Sequence, residues 1–107
     1  MNEQRFNMLK KYIEEDPNDP FNWYALANEY LAFDSEKALS QFLEIMTKFP
    51  DYLATYYQAA KLMVEFEQEE KALIVYQNGI ALAKTQGNQK TLNELNSAYQ
   101  NLLFEME

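Results

Sequence analysis

The 107-residue sequence contains no cysteine and no histidine. The first absence rules out a disulfide framework and thiol chemistry. The second removes the commonest general base and, together with the first, the usual zinc ligands. Lysine and carboxylates remain, but no glycine-rich phosphate loop and no recognisable acid–base pair accompanies them. The sequence therefore reads as a non-enzyme without a cofactor. Two glycines and three prolines leave little material for hairpin turns. Cations are scarce as well: Arg5 and eight lysines face 17 acidic residues, for a formal charge of −8. Neutralising phosphates takes clustered Lys and Arg, so neither nucleic acid nor an anionic membrane is an expected partner. No apolar run approaches the ~20 residues needed to span a bilayer. The opening Met1-Asn2-Glu3-Gln4-Arg5 lacks the apolar stretch of a signal peptide, and a cytoplasmic location is expected by default.

What the chain does have is apolar mass: 48% of residues are hydrophobic and 15% aromatic, too many for a disordered chain. The length suits one domain with a single core. Leu, Ala, Glu, Gln and Lys are abundant while β-branched residues are few, which points to an all-α fold. Phe6, Leu9, Tyr12 and Ile13 share one face of a helix spanning 2–15. Asp16-Pro17-Asn18-Asp19-Pro20 breaks it, with Asp19 as the next N-cap and Pro20 in the first turn of a helix running to about Phe33. Asp34 or Ser35 can cap a third helix ending before Pro50, and Asp51 can cap a fourth. A tight turn near Glu67 and Gln68 leads into a long fifth helix through Ala83, stopped by Gly87, and a sixth covers about 89–104. Six helices joined by short connections predict an antiparallel stack.

An internal echo gives the organisation. Trp23-Tyr24-Ala25-Leu26-Ala27-Asn28-Glu29-Tyr30 returns 33 positions later as Tyr56-Tyr57-Gln58-Ala59-Ala60-Lys61-Leu62-Met63. Ala38, Phe42 and Ile45 in the first half answer to Ala72, Tyr76 and Gly79 in the second. A period near 34 residues holding two helix-length patterns is the mark of a helical-hairpin solenoid. These residues, with Pro50 closing the first unit and Pro17 standing 33 positions before it, resemble the tetratricopeptide repeat. The resemblance covers essentially the whole chain and implies a right-handed α-α superhelix. Residues 1–17 would form an N-terminal half-unit, 20–52 a first repeat, 53–86 a second and 88–107 a capping helix that carries Leu92, Leu95 and Tyr99. Pro20 to Ala27 and Ile80 to Gly87 are also similar to the opening and tail of small stand-alone bacterial members.

The resemblance divides core from surface. Small Ala27, Ala38, Ala60 and Ala72 would let helices approach, and Trp23, Tyr30, Phe42, Tyr56 and Tyr76 would fill the gaps. In the family a second stripe on each first helix lines a concave face that binds a protein or peptide. Transferred by position, that stripe is Phe21, Tyr24, Asn28 and Leu31, then Ala54, Tyr57, Lys61 and Val64, then Lys90, Asn93, Ser97 and Gln100. Gln58 joins it as a candidate amide donor. Tyrosine suits such a surface because it joins a large apolar face to a polar tip. Ordinary packing under the last helix would account for the same residues. Some members clamp a carboxylate with lysine, asparagine and arginine. Here Tyr24 replaces the first lysine, Gln58 the second asparagine and Glu94 the arginine, so an apolar or mildly basic segment fits better than an acidic tail.

The acidic patch of Glu65, Glu67, Glu69 and Glu70 lacks the aspartates and glycine of a calcium loop and reads as a solvated turn. The leading expectation is a protein-interaction module. The alternative is a self-associating scaffold that uses Phe6, Tyr12, Phe33, Tyr52 and Phe104, possible because a solenoid exposes its end helices. Where the family's inter-helix turn carries glycine, this chain has Glu67, which must take a positive φ or reshape the turn, at a cost of about 1 kcal/mol. Replacement of Glu67 by Gly is accordingly expected to leave the melting temperature unchanged or raise it; a clear fall would contradict the turn assignment.

Overall fold

The computed structural model describes residues 2–107 and contains, among them, six α-helices and no strand. They are α1 (Glu3–Glu15), α2 (Pro20–Leu31), α3 (Ser35–Lys48), α4 (Ala54–Glu65), α5 (Glu69–Gln86) and α6 (Gln89–Glu105). None is long and apolar enough to cross a membrane. The chain forms two compact units, Met1–Tyr52 and Leu53–Glu107.

In the first unit, local chemistry starts each helix. The Asn2, Asp19 and Asp34 side chains accept from the backbone N–H of Arg5, Phe21 and Lys37, each at 3.0 Å, satisfying donors that a first turn leaves free. Pro20 takes the first turn of α2, where its missing N–H costs nothing. α1 lies on α2 through buried Leu9, Ala25 and Leu26, flanked by Phe6, Ile13 and Tyr30. The Phe6 and Tyr30 rings meet edge to face at 5.2 Å, and Arg5 pairs with Glu29 across the same two helices. α3 buries Ala38, Leu39, Phe42 and Ile45.

Three expectations change here. Asp51 is not the N-cap residue of α4. The Tyr52 N–H donates to the Phe49 carbonyl at 3.0 Å, which spends Pro50 and Asp51 on a turn; Leu53 takes the N-cap position without a side-chain bond. Trp23 is half-buried rather than core, whereas Tyr30, also half-buried, packs against Leu9, Ala25 and Leu26. The Trp23 indole N–H donates to the Pro17 carbonyl at 2.9 Å and Lys48 Nζ lies 4.4 Å from its ring, so a polar edge and a cation hold it at the rim. Phe6 and Tyr52, proposed for self-association, are also half-buried and engaged with other rings.

In the second unit the two helix ends share one device. Gln68 N–H donates to the Met63 carbonyl at 2.7 Å with Glu67 at φ 60°, and Asn88 N–H donates to the Ala83 carbonyl at 2.9 Å with Gly87 at φ 67°. Each is a left-handed helix stop whose six-to-one bond caps orphan carbonyls. Gly87 suits the conformation, whereas Glu67 adopts it under strain. α5 then runs three residues past Ala83 before Gly87 ends it.

α5 packs on α4 and α6 at Gly79. A Cβ there would stand 2.9 Å from the Tyr56 Cβ and 3.1 Å from Leu95 Cδ1, so only glycine permits this approach. Leu95 is fully buried at the junction, and the Gln77 side-chain amide donates to the Tyr99 hydroxyl at 2.7 Å, tying α5 to α6 at the surface. Gly79→Ala should lower unfolding stability by about 1–3 kcal/mol through overpacking, although alanine is favoured in a helix by ~1 kcal/mol. Chemical denaturation measures it; a variant as stable as the parent would refute the close contact.

Candidate functional site

Two open cavities, of about 430 and 410 Å³, lie between α4 and α6 of the second unit and share Ala98 and Asn101. Together they make one trough. Tyr57, Asn93, Glu94 and Ser97 line one end; Lys61, Val64, Glu65, Leu102 and Glu105 line the other. Tyr76 of α5 lies at the floor, with its ring centre 6.5 Å from that of Tyr57. Helical spacing builds the walls. Tyr57, Lys61 and Val64 recur at four and three residues on α4, as do Glu94, Ala98, Asn101 and Glu105 on α6. The trough thus offers an aromatic floor, side-chain amides, hydroxyls, one ammonium and three carboxylates. It contains no nucleophile–base pair.

Of the residues singled out in the sequence, Tyr57, Lys61 and Asn93 come together in this trough, with Val64 and Ser97 beside them. Gln58 is half-buried and lies outside the trough lining. Lys90 is exposed in the first turn of α6, also outside it. Asn93 accepts from the Gln89 side-chain amide at 2.8 Å, one turn earlier. The wall carries Asn101 where the sequence reading chose Gln100. The four-residue step from Asn93 through Ser97 leads to Asn101, a signal present in the sequence. Glu65 and Glu105 were likewise missed because both read as ordinary solvated helix positions.

Phe21, Tyr24, Asn28 and Leu31 belong to α2 of the first unit. Tyr24 is half-buried, with ring centres 5.7 Å from Phe42 and 5.5 Å from Tyr52, so its ring is committed to packing inside its own unit. Asn28 and Leu31 are half-buried, and Phe21 is 60% exposed, the most accessible ring of that helix. A separate cavity of about 340 Å³ is lined by Pro20, Lys48, Phe49, Pro50, Asp51 and Tyr52.

Two phenols have perturbed acidity. Burial, then the neighbouring Tyr24, then Asp19, raise Tyr52 above its ordinary value of 10.0. Burial and then Tyr57 raise Tyr76 above the same value. Both directions disfavour the phenolate, as expected where a new charge would lose water and face other oxygens.

No protein-family model matches the chain, and no curated protein matches it. Solved structures do. The solution structure of a tetratricopeptide repeat domain protein from Salinibacter ruber is 41% identical, covers 81% of this chain and 89% of its own, and superposes with a TM-score of 0.77. A crystal structure of a tetratricopeptide repeat domain protein from the same organism gives 39%, 78%, 96% and 0.76 in turn. The TPR2B domain of yeast Sti1, in a complex with pHsp70, is 14% identical over 94% of this chain and 81% of its own, with a TM-score of 0.82. The fold is therefore all-α and of helical-repeat type.

Because Tyr52 and Tyr76 hold their protons more tightly folded than unfolded, the stability they contribute is complete below pH 10.0 and is lost as pH rises through their folded values. A tyrosinate absorbance titration should show a late-ionising class that loses two phenols in a Tyr52→Phe/Tyr76→Phe variant. Stability should fall above pH 10.0 less steeply in that variant than in the parent. Ionisation of all eight tyrosines in a single step near pH 10.0 would contradict the burial of both rings.

Proposed function

The chain belongs to the tetratricopeptide repeat family, and on that footing we propose that it is a non-enzymatic protein-interaction module holding a peptide or partner helix on a concave face. In this reading residues 20–52 and 53–86 are the repeats, 1–17 is a half-unit and 88–107 a capping helix. One observation carries the reading: Tyr57, Lys61 and Asn93, named from the repeat pattern alone, line a single trough. Such a surface supplies contact area from the aromatic floor and hydrogen bonds from the amides, the combination peptide recognition uses. The Sti1 domain, alike in fold, is seen with pHsp70, which supports the same class of use here. A cytoplasmic site of action suits the composition.

A second reading, self-association, is favoured by one feature: Phe104, near the end of α6, is 77% exposed. Burying such a ring contributes about 1.5–3 kcal/mol, enough to assist a contact and not to make one alone. Sedimentation at increasing concentration separates the readings, since only self-association raises the mass.

The direct test is capture from source-cell lysate on immobilised protein, beside a Lys61→Ala/Asn93→Ala/Asn101→Ala variant of matched helicity. Proteins retained by the parent and released by the variant are the expected result. Identical retention on both columns would remove the trough from the proposal.

A further inference from the structure

We propose that the occupant of the α4–α6 trough is an extended segment carrying two cationic side chains four residues apart, and so on one face. This rests on the reading of the trough as a binding site and adds the chemistry and conformation of its ligand. Charge is the first ground. Glu65, Glu94 and Glu105 line the trough against the single ammonium of Lys61, in a protein of formal charge −8. Opposite potential steers and orients a ligand, and like charge excludes one.

Spacing is the second ground. Glu94 and Glu105 stand on one stripe of α6, eleven residues apart, which at 1.5 Å per residue is about 16.5 Å. Residues i and i+4 of an extended chain stand about 13 Å apart and point to the same face, and flexible lysine stems reach the few ångströms that remain. A cation at each end of that stretch meets a carboxylate at each end of the trough. Between them, Asn93, Ser97 and Asn101 recur every four residues, a step of about 6 Å. That step is close to the two-residue repeat of an extended chain, ~6.6 Å, so successive polar side chains can bond alternate backbone groups of the ligand. A bound α-helix offers no such match, because its backbone groups are already paired within it. The aromatic floor of Tyr57 and Tyr76 accepts small apolar side chains pointing inward.

The probe is a five-residue peptide with blocked ends, lysine first and last and serine, alanine and serine between, so that both lysines and the alanine share one face, carrying a fluorophore for anisotropy. One control has the two lysines adjacent; another has glutamate in place of both. The spaced-lysine peptide should bind at least three-fold tighter than the adjacent-lysine peptide and more than ten-fold tighter than the glutamate one. Glu94→Gln/Glu105→Gln should weaken it three- to ten-fold, the effect of two exposed ion pairs. Glu14→Gln/Glu15→Gln, the same charge change on α1, should leave it unaltered. Equal affinity for both lysine arrangements, or equal losses in the two glutamate variants, would reduce the effect to net charge and overturn the proposal. Tighter binding of the glutamate peptide, lost in Lys61→Ala/Asn93→Ala/Asn101→Ala, would overturn the ligand chemistry while leaving the trough as the site. Absence of binding by every peptide, with lysate capture also insensitive to the trough variant, would overturn both.

Discussion

The close approach at Gly79 is the constraint on which the second unit depends. Without a Cβ on that residue, Tyr56 of α4 and Leu95 of α6 both close onto α5, and the two flanking helices become the walls of a trough. Tyr76 lies one turn before Gly79 on α5, so the helix that draws the walls in also supplies the floor. Packing and binding surface are thus one arrangement. A larger residue at Gly79 would alter the wall spacing before it touched any ligand.

The first unit solves the same problem with other side chains. Ile45 stands where the repeat puts Gly79, and it is fully buried, as is Phe42 at the place of Tyr76. Tyr24 and Phe42 form the ring pair that Tyr57 and Tyr76 form in the second unit, at 5.7 and 6.5 Å. In the first unit a third ring, Tyr52, lies against Tyr24, and Asp19 stands close enough to raise the Tyr52 pKa. The two copies have therefore diverged in use. One phenol is enclosed by aromatic neighbours, and the other faces a trough of amides and carboxylates.

Much of this was legible from residue order, for identifiable reasons. The six helices follow from apolar spacing, and Asp19, Pro20, Asp34 and Gly87 stand where capping chemistry expects them. Placing Glu67 at the family's glycine position left a positive φ or a reshaped turn, and the chain takes the positive φ. Asp51 misled because a carboxylate after proline resembles an N-cap, while the backbone bond from Tyr52 to Phe49 claims it for a turn. Trp23 was read as core because its repeat position is apolar in kind; its indole N–H needs a partner and finds one at the rim. At the site, Tyr57, Lys61 and Asn93 were legible by position. Asn101 was legible too, as the next four-residue step after Asn93 and Ser97, but Glu65 and Glu105 were not, since such exposed carboxylates read as solvated positions until the neighbouring helix is in place.

The account's central claim is that the trough between α4 and α6 is where a partner segment sits. Isotope-edited NMR spectra recorded while the spaced-lysine peptide is added test it most directly. The account predicts shifts concentrated in the side-chain amides of Asn93 and Asn101 and in the backbone around Tyr57, Lys61 and Ser97, with α2 and α3 unmoved. Shifts centred on α2 and α3, or spread evenly over the acidic surface, would contradict it.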